Sequence, residues 1–181
     1  PEATALYQKR REELKAIVDA KNARLAEWAI AHPELAEKKR KWFARELPTI
    51  DWSGIKQKAN SATRAASAVV LAELAQQVEN MVVASADLSN SDKTDGFLKQ
   101  TKALTRNDFS GAFLQAGVSE FTMSCLCIGM SLHGGVIPAC GTFFVFSDYM
   151  KPSIRVAALM QTPVIFIWTH DAFRVGEDGP T

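Results

Sequence analysis

The chain has 181 residues, room for one ordinary domain and an appendage, and at 47% hydrophobic it can bury a real core. Its 21 lysines and arginines stand against 20 acids, which argues against a nucleic-acid or membrane-surface protein, whose basic patches show in the balance. Cys125, Cys127 and Cys140 are odd in number and lack zinc-ligand spacing, so they read as reduced, buried thiols of a cytoplasmic protein.

The N-terminus is charged and helical, without a signal-peptide pattern. The longest apolar run, Phe121 to Leu132, is too short and too rich in small polar residues to span a bilayer. The chain starts at Pro1 without an initiator methionine and stops at Thr181 after a Gly-Asp-rich turn, so the expectation is a fragment.

Residues 1 to about 48 are charged and helical. Leu14, Val18, Lys21, Leu25 and Trp28, spaced by four and three, give one mostly apolar stripe on a long helix. His32-Pro33 breaks it, and Pro33 suits the first turn of a second helix running towards Arg45. The run Lys38-Lys39-Arg40-Lys41 invites a nucleic-acid reading, but in a neutral chain it is better read as a solvated helix face. Pro48, Asp51, Ser53 and Gly54 mark a linker, which places a domain boundary after residue 54, with 1–54 as helical tail and linker and 55–181 as an α/β domain.

Beyond the linker, helices alternate with apolar runs. The alanine-rich stretch Ser61 to Val78 reads as a helix packed on several sides. Met81 to Ala84 is a buried strand and Gly111 to Gly117 another. Ser119 N-caps a helix to His133; Val136 to Phe144 is a third strand; Tyr149 to Gln161 is a helix whose Pro152 fits best in its first turn. Pro163 to Trp168 is the clearest strand, unbroken and apolar. Such alternation predicts a parallel sheet with helices on both faces.

Ligands of such sheets gather beyond the carboxyl ends of the strands, so the polar residues just after each strand are the candidates. They are Asp87, Ser89 and Ser91; Ser119 and Glu120; the aromatic group Phe143, Phe146 and Tyr149; and Thr169, His170, Asp171, Glu177 and Asp178. Each has a plain alternative. Glu120 in a first helical turn is ordinarily a solvated acid, yet Val118 and Phe121-Thr122-Met123 give it an apolar setting in which a carboxyl group can exchange a proton near neutrality. Aromatics spaced by three pack cores as readily as they hold cofactors, and a histidine at a strand end serves structure as readily as function. Arg64, near a helix start, opposes the dipole and asks for a partner, either a bound anion or a salt bridge.

Taken together these positions resemble the thiamine-diphosphate enzymes, and among them the transketolases. Gly117-Val118-Ser119-Glu120 is similar to the family's Gly-x-x-Glu element, whose Glu contacts the cofactor's aminopyrimidine ring. The resemblance implies that Glu120 shares a proton with that ring, so that the cofactor's own imino nitrogen generates its nucleophilic carbon. Gly141 to Tyr149 resembles the aromatic segment around the ring, implying that Phe146 stacks on it with Phe143 and Tyr149 alongside. Ser85 to Ser91 resembles the segment after the first strand, which implies Asp87 near the cofactor and Ser91 on substrate phosphate. Arg64 matches a phosphate-binding arginine, and His170 and Asp178 match residues that bind the sugar phosphate and its hydroxyls, His170 also being placed among the catalytic residues.

The match covers about residues 61–181, with 1–54 more loosely similar to the end of a preceding diphosphate-binding domain. Gly176 to Thr181 also occurs in deoxyxylulose-phosphate synthases, and Thr169-His170-Asp171 favours transketolase over them. The chain departs from the family at Ser119 and Phe121, where Arg and His commonly flank the Glu. The implied activity is two-carbon ketol transfer between sugar phosphates, in the pentose phosphate pathway, by a homodimer whose site is shared between subunits. Thiamine diphosphate and Mg2+ would be anchored mainly by the preceding domain, leaving this piece inactive alone. The competing readings are a related synthase and a degenerate, non-catalytic assembly subunit.

Overall fold

Strand–helix alternation does produce the expected parallel sheet. The computed structural model describes residues 2–171. The chain divides into two compact units, residues 1–44 and 45–181.

The first unit is a pair of helices, α1 (Glu2–Ala31) and α2 (Pro33–Phe43). Pro33 breaks the first helix because it has no amide to donate, and it opens the second because its fixed φ suits a first turn. Arg45, at φ 57°, turns the chain out of α2. The expected stripe on α1 stays largely in solvent: Leu14, Val18 and Leu25 are exposed, and no described residue of either helix is fully buried. In the basic run, Arg40 forks onto both carboxylate oxygens of Glu37 at 2.8 Å, and the Lys39 ammonium lies 5.7 Å from the Phe43 ring centre.

In the second unit, residues 45–62 carry no helix or strand, and Gln77 ties them down by accepting from the Asp51 amide (2.8 Å) and donating to its carbonyl (3.0 Å). Then follow α3 (Thr63–Gln77), β1 (Met81–Ser85), α4 (Ser89–Asp92), α5 (Asp95–Leu98), β2 (Phe113–Gln115) and α6 (Glu120–His133). After these come β3 (Ile137–Phe143), a 3-10 turn (Phe144–Phe146), α7 (Ser147–Leu159) and β4 (Ile165–Thr169). The strands order as β2-β1-β3-β4, all parallel, with Val83 beside both Phe113 and Ala139, and Ala139 beside Ile165.

Two cores follow from the period of two along each strand. Val83, Phe113 and Ala139 face Leu71, Val78 and Phe97 on the α3–α5 side, while Ala84 and Cys140 face Met123, Cys127 and Met150 on the α6–α7 side. Phe113, Val83, Met123 and Met150 are completely buried, each worth about 1.5–3 kcal/mol against exposure. Ser124 and Ser153, whose hydroxyls lie 2.6 Å apart, add a buried polar link between α6 and α7.

Several expectations are corrected. Helix α3 buries only Leu71 outright, but its other residues are half-buried except Thr63, Val69 and Gln76, so it is partly covered on several sides. Helix α7 begins two residues before Tyr149, prompted by the 3-10 turn, and Pro152 therefore lies inside it; its missing amide leaves the Asp148 carbonyl without an intrahelical donor, tolerable because Pro152 is exposed. Cys125 is exposed, since two residues along a helix from buried Cys127 is the opposite face. The run 163–168 gives a strand at the edge of the described sheet, with Ile165 and Trp168 exposed. Helices α4 and α5 are too short for any period to announce them.

Candidate functional site

The rim above the strand ends is built by four turns. After β1, Asp87 takes a left-handed backbone (φ 65°), which a short polar side chain tolerates, and the chain bends into α4. Beneath that bend lies Asp92, completely buried, accepting hydrogen bonds from Ser85 Oγ (2.7 Å) and from the amide and hydroxyl of Thr94 (2.8 and 2.7 Å). Burial pushes its carboxyl above the ordinary aspartate range, against the pull of those donors. Gly141 on β3 must lack a side chain here, because a Cβ would lie 2.5 Å from Thr94 Cγ2 and 3.2 Å from Asp92 Oδ2.

After β2, Gly117 (φ 67°) reverses the chain, and the Ser119 amide closes onto the Gly117 carbonyl at 2.8 Å. Ser119 occupies the N-cap position of α6 as expected, but its hydroxyl donates to the Ala116 carbonyl (2.7 Å) rather than capping the helix. The turn delivers Glu120 to the first helical position. Glu120 is not a solvated acid: it is 7% exposed, and its carboxyl group has no hydrogen bond or ion pair among the described residues. A carboxyl group without a protein partner, lining a cavity, is available to a ligand.

The 3-10 turn after β3 aligns the aromatics. Phe143 and Phe146 stack with centroids 5.8 Å apart, and Phe146 and Tyr149 stack at 6.2 Å. On its other side Phe143 meets the His170 ring at 3.8 Å. Four rings thus run in a row along the rim.

Two cavities adjoin this row, and Leu88 lines both. The first, about 470 Å³, is lined by Ala86, Asp87, Leu88, Val118, Glu120, Phe146 and Tyr149. The second, about 530 Å³, is lined by Arg64, Leu88, Asn90, Ser91, Lys93, Phe143 and His170. Of the residues singled out for the cofactor, Asp87, Glu120, Phe146 and Tyr149 share one cavity, while Phe143 lines the other with Arg64, Ser91 and His170, which were singled out for substrate. Asp178 and Glu177 lie outside the described residues.

Arg64 pairs with no carboxylate among the described residues; instead its Nη1 contacts His170 Nε2 from 106 positions away in sequence. Guanidinium has no acceptor, so Nε2 must accept, which puts the imidazole proton on Nδ1. That proton is donated to Thr169 Oγ1, 2.9 Å away. His170 itself sits in a left-handed backbone at φ 53°. Sequence reasoning missed Leu88, Asn90, Lys93 and Val118 as lining residues; Leu88, Asn90 and Val118 follow closely on strand ends, the one signal that marked them, while Lys93 lies beyond α4 and had none. Among the described residues, no three His, Cys, Asp or Glu come together to hold a metal ion.

The fold and rim define a parallel α/β domain with a ligand-sized pair of cavities at the strand ends, and the family model described as "Transketolase, pyrimidine binding domain" matches residues 59–181. The chain belongs to the transketolase family. It is 46% identical over 164 residues to the transketolase of Bacillus subtilis, covering 88% of this chain and 24% of that protein. Against the transketolase of Halalkalibacterium halodurans it is 39% identical over 184 residues, covering 99% of this chain and 27% of the other. Among solved structures it resembles transketolase from Leishmania mexicana with TM-score 0.80 at 33% identity, over 93% of this chain and 25% of that one. The Pichia stipitis transketolase in complex with sedoheptulose-7-phosphate gives 0.83 at 28% identity, over 98% and 27%. The chain thus spans about a quarter of the length of the curated relatives it matches.

Proposed function

We propose that this chain supplies the aminopyrimidine side and part of the sugar-phosphate side of a transketolase active site, which transfers a two-carbon ketol unit from a ketose phosphate to an aldose phosphate. The observation that carries the reading is Glu120: a buried carboxyl group without a partner, lining a cavity walled by Phe146 and Tyr149. Those residues fit a flat, nitrogen-bearing ring, the aromatics by stacking and the carboxyl group by a hydrogen bond to a ring nitrogen. Thiamine diphosphate, when bound, supplies the carbon nucleophile and the electron sink. Glu120 would hold and return the proton at the ring nitrogen, and Asp87 would sit beside it. In the second cavity Arg64, Ser91 and His170 would bind the substrate phosphate, and His170 and Asp178 the sugar hydroxyls. The sugar-phosphate complex of the Pichia stipitis relative supports that substrate class.

Relatives four times longer support the remaining parts of the proposal. Residues 1–54 would be the tail of a diphosphate-binding domain and the linker out of it, 55–181 the start of the pyrimidine-binding domain, and Mg2+ would be bound by the former. These 181 residues alone would then be inactive. A homodimer sharing the site is supported by α6, whose exposed face carries Phe121, Thr122, Cys125, Leu126, Gly129 and Leu132 without a charge. Free thiols and the absence of a described helix able to cross a membrane accord with a cytoplasmic enzyme.

Substrate profiling of the intact enzyme tests the proposal. Ketol transfer from a ketose phosphate to an aldose phosphate, dependent on thiamine diphosphate and Mg2+, is the expected result. Turnover only of pyruvate with a triose phosphate would replace it with the synthase, and no turnover of either would leave a non-catalytic subunit.

A further inference from the structure

The second cavity contains one charged residue that the proposed substrate site does not use. Lys93 lines it together with Arg64, Asn90, Ser91 and His170, and among the described residues the lining includes no acid. A phosphate monoester carries a charge of about −1.5 to −2 at neutral pH. Arg64 supplies one permanent positive charge, and its guanidinium contacts His170 Nε2. Among the described residues of the lining, Lys93 is the other permanent cation.

Its local structure is unusual for a lysine. Lys93 ends α4 with φ 69° and ψ 16°, a left-handed position that glycine or asparagine normally takes and that costs a side-chain-bearing residue about 1–2 kcal/mol. The strain is held by buried neighbours on both sides, Asp92 and Thr94, which are locked to each other by two hydrogen bonds. Its ammonium pairs with no carboxylate among the described residues and rests on the Asn90 carbonyl at 2.6 Å. Asn90 and Ser91 belong to the same short helix, so the ammonium stays within one turn of the Ser91 hydroxyl.

We propose that Lys93 is a specificity-determining residue of this site, placing the second positive charge on the phosphate of a sugar phosphate held by Arg64, Ser91 and His170. The proposal rests on the reading of the second cavity as the substrate-phosphate site. It makes the site selective for the dianion, where Arg64 alone would leave about half of the charge unmatched in a partly desolvated pocket.

The test compares Lys93→Met and Lys93→Arg in the intact, cofactor-loaded enzyme, using a phosphorylated and an unphosphorylated aldose acceptor of the same carbon skeleton. Lys93→Met should raise KM for the phosphorylated acceptor about tenfold or more at nearly constant kcat, leave the unphosphorylated one unchanged, and be largely rescued by Lys93→Arg. Equal losses on both acceptors would mean that Lys93 only shapes the loop, and no change on either would remove it from the site; each overturns the proposal. If the wild type transfers no ketol unit, the transketolase reading falls, and Lys93 is judged by calorimetric titration of the intact protein with inorganic phosphate. An approximately tenfold weaker Kd in Lys93→Met supports the proposal there, and an equal Kd overturns it.

Discussion

Replacing Glu120 with glutamine separates what this residue does for catalysis from what it does for the fold. The two side chains have the same shape, and Glu120 has no hydrogen-bond or ion-pair partner among the described residues to lose. The fold therefore gives up no described hydrogen bond or ion pair. On the proposed role, catalysis would lose the group that exchanges a proton with the ring nitrogen, and general acid–base contributions of this kind are about 10²–10⁴-fold. That corresponds to about 2.7–5.4 kcal/mol of barrier. The assay is steady-state ketol transfer by the intact enzyme with saturating thiamine diphosphate, beside thermal melting of the cofactor-free protein. Expected are a kcat lower by at least two orders of magnitude and a Tm no lower than wild type. Activity within about threefold of wild type would refute the acid–base role, since that range is about 0.65 kcal/mol. A Tm lowered by several degrees would show that the carboxyl group has a structural partner.

Leu126→Glu, placed in the middle of the uncharged face of α6, should weaken the dimer by about 3–5 kcal/mol, or roughly 10²–10⁴-fold in Kd, because it buries an unpaired charge. Light scattering with size exclusion reads this, and an unchanged dimer would take α6 out of the interface. Asp92→Asn should raise Tm at neutral pH, since asparagine keeps an acceptor for the Thr94 amide without the cost of a buried charge. The folded carboxyl titrates above its unfolded value, so its penalty is present above the folded pKa and absent below the unfolded one. The gain should therefore shrink as pH falls through the raised folded value and be gone below about 4, and a gain that grows with acid would contradict this.

The sheet was legible because parallel strands buried on both faces must be continuous apolar runs, as Met81 to Ala84 and Val136 to Phe144 are. The rim was legible for a related reason: a residue just past a strand end has few places to be, and Asp87, Glu120, Phe146 and His170 all arrive there. What spacing cannot show is which distant residues meet. The contact of Arg64 with His170 spans 106 positions, and nothing local to either residue announces it. The same holds for Asp92, which lies among serines and a lysine and reads as a solvated turn acid, yet is completely buried because Gly141 on β3 leaves room for it. Lys93 was hidden by the shortness of α4, one turn that carries no period. Cys125 and Pro152 were misplaced by small errors of phase, of two residues in each case, which on a helix turns a side chain to the other face or carries a proline into the interior.

The central claim is that Glu120 enables proton removal from the thiazolium carbon of bound thiamine diphosphate. Its most direct test is the rate of hydrogen–deuterium exchange at that carbon, followed by quenched-flow NMR on the intact wild-type enzyme and on Glu120→Gln, with no substrate present. The account expects exchange in the variant to be slower by about 10²-fold or more at equal cofactor occupancy. Equal exchange rates in the two proteins would contradict it.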